Sequence, residues 1–143
     1  MELDDLYQEL ILDHFKHPHN RRPLADSEVL VDEENPTCGD HIRLHVKVSD
    51  GKVADVKFDG KGCAISMAST SMMTDQVMDK PVAQARRLIS DFVAVMRGEK
   101  EVNADELGDL AALEGVRKYP LRVKCATLGW HALQAGLDRL LPR

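Results

Sequence analysis

The feature that most constrains the fold is a stretch from 41 to 48 in which apolar and polar side chains alternate strictly. On an extended chain one face would carry Ile42, Leu44, Val46 and Val48, and the other His41, Arg43, His45 and Lys47. A period of two residues predicts a β-strand with one buried face. Any fold of this chain must therefore cover one side of that strand with an apolar core.

A hairpin signal follows the alternating stretch directly. The tetrapeptide Ser49-Asp50-Gly51-Lys52 is typical of a tight turn, and Ala54, Val56 and Phe58 continue the alternation beyond it. We therefore predict two antiparallel strands joined by this turn. A third strand is expected at 29–31, where valine and leucine are concentrated.

Helical periodicity dominates the rest of the chain. It predicts a first helix that ends near Pro18, with an apolar stripe that includes Phe15, and a last helix at 122–141 whose stripe ends at Leu140. Between them we expect helices at 64–78 and 81–97 and a short helix within 98–120. Strands followed by helices predict an α+β fold, with a short antiparallel sheet of about three strands packed against helices. At 143 residues, 1–143 is expected to be a single domain.

Composition excludes several classes of function. The net charge of −5 argues against general nucleic-acid binding, which depends on neutralising phosphates. No apolar run is long enough for a membrane span, and the acidic start is unlike a secretory signal. The cytosol is the expected location. In that reducing compartment, the three cysteines are expected to be metal ligands or reactive thiols rather than disulfides.

Each cysteine falls at a predicted element boundary. Cys38 precedes the first long strand, Cys63 stands just before the helix at 64–78, and Cys125 is predicted in the first turn of the last helix. A helix N-terminus stabilises a thiolate through its dipole. Gly39 lets the chain turn tightly enough for Cys38 and Asp40 to face one ion.

Three sulfurs and one carboxylate oxygen make a plausible tetrahedral zinc set. The four ligands carry four negative charges and the zinc ion two positive ones, so a nearby cation is expected. Arg122 and Lys124 flank Cys125 and are candidates for it. The long intervals between the cysteines would leave this a weak prediction on spacing alone. The cysteines could instead be buried small hydrophobes, and Asp40 could cap a turn.

The histidines offer two further metal candidates, which we interpret otherwise. His14, His17 and His19 cluster near the end of the first helix, and the favoured interpretation is a solvated helix terminus. His41 adjoins Asp40, but strand parity assigns it to the polar face. The methionines around 67–78 are expected to fill the core.

Three local motifs resemble a known family. They are Asn35-Pro36-Thr37-Cys38-Gly39-Asp40, Gly60-Lys61-Gly62-Cys63-Ala64-Ile65-Ser66 and Arg122-Val123-Lys124-Cys125-Ala126-Thr127-Leu128. In this order they resemble the three cysteine motifs of the IscU/SufU family, also described as NifU N-terminal-like. Lys124 stands where IscU scaffolds carry a histidine, and the interval from Cys63 to Cys125 is longer than in those scaffolds. Both departures resemble the SufU branch.

The resemblance implies a function in iron-sulfur cluster assembly. The chain would be a zinc-dependent sulfurtransferase, with Cys38, Asp40, Cys63 and Cys125 as zinc ligands and Arg122 beside them. Cys38 would be the catalytic residue that accepts persulfide sulfur from a SufS-type cysteine desulfurase, after exchange out of the zinc shell. The sulfur would pass to downstream cluster-assembly proteins.

Two other functions stay open on the sequence alone. The first is an assembly scaffold that binds iron or a transient iron-sulfur cluster in place of zinc. The presence of Lys124 rather than histidine counts against it. The second is a structural zinc module used only for protein binding, although an aspartate ligand suggests an exchangeable position.

Overall fold

The computed structural model describes residues 3–36 and 39–142, with side chains from residue 8 onward. Thr37 and Cys38 lie outside the described residues. In chain order the elements are α1 (Leu3–Lys16), β1 (Val31–Asn35), β2 (Asp40–Ser49), β3 (Lys52–Lys61), α2 (Ala64–Val77), α3 (Val82–Met96), α4 (Ala104–Leu107) and α5 (Pro120–Leu140). A single 3-10 turn spans Asp26–Glu28, and a longer 3-10 segment spans Gly108–Lys118. The predicted α+β fold is confirmed.

The sheet is antiparallel with strand order β1-β2-β3. Leu44 at its centre pairs with Val31 on one side and Phe58 on the other, and all three side chains are buried. On β2 the buried and partly exposed residues alternate from Asp40 to Val46. The predicted hairpin is confirmed, and so is its buried face except at Ala54. Ala54 is exposed and Val53 is buried in its place, because the pairing register of β2 and β3 shifts between Lys47 and Val48. The third strand begins at Val31, whereas the sequence placed it at 29–31.

Helix α2 lies at the centre of the molecule. It packs against α1, α5, the 3-10 segment and β3. All its residues from Ser66 to Thr74 are buried, so it has no solvated face over this length, and its hydroxyl groups lie in the interior. Met67, Met72 and Met73 are at most 2% exposed, which confirms the prediction that they fill the core.

Two predicted stripe residues are exposed. Phe15 on α1 is 38% exposed and Leu140 on α5 is 39% exposed, so both predictions were wrong. Among the α1 residues whose side chains are described, from 8 to 16, the buried one is His14, one residue before Phe15, and α1 packs against α2. Leu140 is the last residue of α5, where the helix has passed the edge of the core.

The acidic segment from 98 to 120 is more ordered than its composition suggests. A helical turn, α4, is capped by Asn103, whose Oδ1 accepts the backbone N–H of Asp105 at 3.0 Å. The 3-10 segment then directs Leu110 and Leu113, both fully buried, into the core. Within residues 3–36 and 39–142, no helix combines the length and apolar character needed to cross a membrane.

Candidate metal centre

Asp40 begins β2 on the buried face of the strand. It lies two residues before Ile42 and therefore on the same face of the strand, and it is only 3% exposed. Oδ1 accepts the backbone N–H of Cys63 at 3.0 Å, and Oδ2 lies 3.6 Å from Cys63 Sγ, which donates to it. A carboxylate this buried is stable only when it is hydrogen-bonded or paired with a cation. The contacts with Cys63 supply part of that stabilisation.

The approach of Asp40 to Cys63 depends on glycine at position 62. A Cβ at Gly62 would lie 3.1 Å from Asp40 Cγ and 3.1 Å from Met67 Cε. Both distances are shorter than ordinary carbon contacts. A larger residue there would require the Asp40 carboxylate or the Met67 methyl group to shift by a few tenths of an ångström.

Cys63 is the N-cap of α2, as the sequence predicted for a residue just before that helix. Its Sγ accepts the backbone N–H of Ser66 at 3.5 Å. The sulfur therefore caps the N-terminus of α2. Cys63 is partly exposed.

Cys125 occupies the second turn of α5, and its predicted place in the first turn was wrong. The helix begins at Pro120, with Tyr119 as its N-cap. Proline is favoured at the first position of a helix, and this signal was available in the sequence. Cys125 is 1% exposed.

Three of the proposed metal ligands converge. One ligand atom each from Asp40, Cys63 and Cys125 lie within 4.8 Å of one another, although the residues come from β2, the α2 N-terminus and α5. The fourth, Cys38, is outside the described residues. Metal ligation by the set of four stays a prediction.

Arg122 lies one helical turn before Cys125. The sulfurs of Cys63 and Cys125 raise the pKa of the Arg122 guanidinium above its ordinary value, through their charge and through hydrogen bonds. The arginine is exposed, so it reaches the two sulfurs from the solvent side. Arg122 is therefore a cation beside the two sulfurs, as the sequence analysis expected of the charged residues that flank Cys125.

The histidines are arranged differently from the sequence interpretation. His41 lies on the polar face of β2 as predicted and hydrogen-bonds Asp32. His14, however, is 3% exposed, and its Nδ1 lies 2.8 Å from Ser71 Oγ on α2. The solvated-terminus interpretation was therefore wrong for His14. His17 is exposed, as that interpretation expects.

The fold and the converging ligands together indicate the class of metal-binding proteins. The sheet, the N-terminus of the central helix and the last helix bring Asp40, Cys63 and Cys125 together in one group of ligands, the cysteine pocket. Such a pocket, rich in sulfur and carboxylate ligands, is a candidate centre for a thiophilic divalent metal.

Comparison with known proteins identifies the family. Residues 6–126 match the NifU-like N-terminal domain. The zinc-dependent sulfurtransferase SufU of Bacillus subtilis (strain 168) is 48% identical over 137 residues, covering 96% of this chain and 92% of its own. The iron-sulfur cluster assembly scaffold protein IscU of Streptococcus pyogenes is 43% identical over 138 residues, covering 96% and 86%.

A solved structure agrees with the sequence relatives. It is that of a candidate iron-sulfur cluster assembly scaffold protein for the SUF system from Fervidobacterium islandicum AW-1, at a TM-score of 0.78 and 34% identity, covering 94% of this chain and 98% of its own. The chain belongs to the NifU-like N-terminal domain family, in which it has SufU and IscU relatives.

Proposed function

We propose that this chain is a zinc-dependent sulfurtransferase of iron-sulfur cluster assembly, acting in the cytosol. The observation that carries the proposal is the convergence of Asp40, Cys63 and Cys125 within 4.8 Å, in a chain 48% identical to a zinc-dependent sulfurtransferase. Arg122 beside the sulfurs supports it, because a buried anionic pocket requires positive charge.

The donor set fits zinc. Thiolate sulfur and carboxylate oxygen are both ordinary zinc ligands, whereas magnesium and calcium favour oxygen alone. In the proposal Cys38, Asp40, Cys63 and Cys125 hold the ion. Cys38 stands two residues before Asp40, so the covalent chain keeps their Cα atoms within about 7.6 Å of each other. When bound, zinc would keep the cysteine sulfurs deprotonated.

Cys38 is the proposed sulfur acceptor. Its thiolate attacks the outer sulfur of a persulfide on the donor cysteine. The S–S bond of the donor breaks, the donor cysteine leaves as a thiolate, and a new S–S bond makes Cys38 the persulfide. No oxidant or reductant is consumed, since one S–S bond replaces another.

Asp40 and Arg122 have distinct roles in the proposed step. Asp40 holds the backbone of Cys63 through a 3.0 Å hydrogen bond and so fixes the N-terminus of α2 beside the pocket. Arg122 places a positive charge next to the sulfurs while its own position remains exposed to an approaching partner. Neither residue needs to exchange a proton during transfer.

The proposed donor is a SufS-type cysteine desulfurase, and the proposed recipients are downstream cluster-assembly proteins. The test is to incubate the purified chain with its desulfurase and cysteine, and to map the persulfide by mass spectrometry. Sulfur is expected on Cys38. Sulfur found on Cys63 or Cys125 alone would contradict the assignment.

A scaffold function is the second candidate, because the IscU protein that is 43% identical is named as a scaffold. The sulfurtransferase and scaffold functions predict different bound metals in the purified protein. Anaerobic purification should yield about one zinc per chain if the sulfurtransferase proposal holds. Stoichiometric iron and sulfide with little zinc would favour the scaffold.

Replacing Arg122 should weaken the centre without unfolding the protein. Since Arg122 is exposed and lies beside two sulfurs, we expect Arg122→Ala to lower zinc affinity or sulfur transfer by roughly 10- to 100-fold, the usual effect of removing a residue that supports metal ligands. Competition with a chromophoric chelator measures the affinity.

The matched control is Lys124→Ala, which removes an exposed cation two residues further along α5. This control should retain nearly full affinity, because net charge alone is not the cause of the Arg122 effect. Equal losses in the two variants would show that Arg122 contributes only through the general charge of the surface.

A further inference from the structure

A second group of potential ligands lies at the other end of α2. One ligand atom each from His14, His19 and Asp75 lie within 4.8 Å of one another. Asp75 follows Cys63 by about three turns of α2, so the two groups are separated by roughly 18 Å along the helix. None of the residues in this group belongs to the cysteine pocket.

His14 is held in a fixed orientation. It is 3% exposed, and its Nδ1 lies 2.8 Å from the Ser71 hydroxyl, which also accepts the backbone N–H of His19 at 2.7 Å. In the tautomer that donates Nδ1–H to Ser71, the Nε2 atom keeps its lone pair. Metal-binding histidines are usually oriented by a hydrogen bond from the other ring nitrogen in this way.

The second ring nitrogen of His14 lies near negative charge. Asp109 Oδ2 lies 3.8 Å from His14 Nε2, and the His19 imidazole contacts the Asp75 carboxylate. A lone pair directed toward a carboxylate is unfavourable unless a proton or a metal ion lies between them. Two imidazoles with two carboxylates nearby therefore favour the binding of a cation.

The segment that carries His19 is held by hydrogen bonds to β3 and to α2. The Asn20 carbonyl accepts the N–H of Phe58 at 3.1 Å, and the Asn20 side chain donates to Thr74 Oγ1 at 2.9 Å. His19 therefore stays against α2 and beside His14, with the ring centroids 4.5 Å apart. The cluster is part of the packed fold.

The mouth of the cluster is open to water. The side chains of His19 and Asp75 are 46% and 42% exposed, whereas His14 forms the floor. Two imidazoles and a carboxylate suit a divalent first-row transition ion, because magnesium and calcium prefer oxygen ligands. Water could complete the coordination from the exposed side.

From this geometry we infer that His14, His19 and Asp75 form a second divalent transition-metal site, with nitrogen and oxygen ligands and without sulfur. Asp109 lies beside it as an additional anion. The site is independent of the cysteine pocket, and its ion is a borderline metal such as Zn²⁺ or Fe²⁺.

The test is to titrate full-length protein that already carries one equivalent of zinc with Co²⁺. A second equivalent should bind with visible d–d absorption and without the near-ultraviolet band of cobalt bound to thiolate. Exchange into the cysteine pocket would produce that band, so the two sites are distinguished. In parallel, Zn²⁺ should shift the ¹⁵N resonance of His14 Nε2 and leave Nδ1 protonated.

Variants complete the test. His19→Ala and Asp75→Asn, both at exposed positions, should weaken the second equivalent by about 10-fold or more. His17→Ala is the matched control, because His17 is an exposed histidine of the same segment outside the cluster, and it should bind as the native chain does.

The inference is overturned if no second equivalent binds, or if His19→Ala binds as well as the native chain. Equal weakening by His17→Ala would also overturn it, because it would indicate adventitious binding by surface histidines. Failure of sulfur transfer would leave these readouts unchanged, so the two proposals are tested separately.

Discussion

Cys38→Ala is expected to reduce persulfide transfer from the desulfurase to background while the fold remains intact. The acceptor thiolate is the only group in the proposed mechanism that forms a bond to sulfur, and alanine cannot replace it. The measurement is the rate of alanine release by the desulfurase, together with mass spectrometry of the labelled chain. Far-ultraviolet circular dichroism should be unchanged.

The same variant separates transfer from a purely structural zinc function. A structural module would lose zinc affinity on loss of Cys38, but it would still stimulate the desulfurase if binding alone were sufficient. Cys63→Ala is the comparison, since it removes a proposed zinc ligand and leaves the acceptor thiol. Full stimulation by a folded Cys38→Ala protein would refute the sulfurtransferase proposal.

Removal of zinc should lower the melting temperature substantially. With free zinc at a thousand times the dissociation constant, binding adds about 4 kcal/mol to the free energy of unfolding. For a domain of this size, that corresponds to roughly 8 to 16 °C. Without the ion, the side chains of Asp40, Cys63 and Cys125 lose the positive charge that compensates their negative charge. Calorimetry of chelator-treated protein should therefore show the lower melting temperature.

The control for this experiment is Cys125→Ser, in which a proposed ligand at a buried position is replaced by a residue of similar size. Chelator treatment should then change the melting temperature little, because less zinc is bound at the outset. His19→Ala should keep the full shift, since it affects only the second cluster. An unchanged melting temperature in the native chain would contradict the metal proposal.

The central part of the fold could be predicted because its signals are local. The alternation from Ile42 to Val48 specifies which face of β2 is buried, and the turn at Asp50-Gly51 sets the hairpin. Proline and glycine likewise delimit α3. Strand β1 was placed too early because residues 32–34 are acidic, and their extension is fixed by pairing with β2 rather than by any apolar pattern.

The candidate metal ligands could be predicted from the sequence, whereas the burial of the histidine on α1 could not. The parity that buries Ile42 also buries Asp40, so the carboxylate could have been assigned to the interior from the sequence. The burial of His14 could not, because its partner Ser71 is 57 residues away on another helix. Contacts of that kind depend on how α1 packs against α2.

The one tryptophan of the chain gives the molecule a built-in optical reporter. Trp130 on α5 is fully buried, stacks on Phe92 with ring centroids 4.6 Å apart, and donates its indole N–H to Ser69 on α2 at 3.0 Å. Its emission should therefore be blue-shifted while α2, which is capped by Cys63, and α5, which carries Cys125 in its second turn, remain docked. Stopped-flow fluorescence could then follow partner binding at the cysteines in real time, without an attached dye.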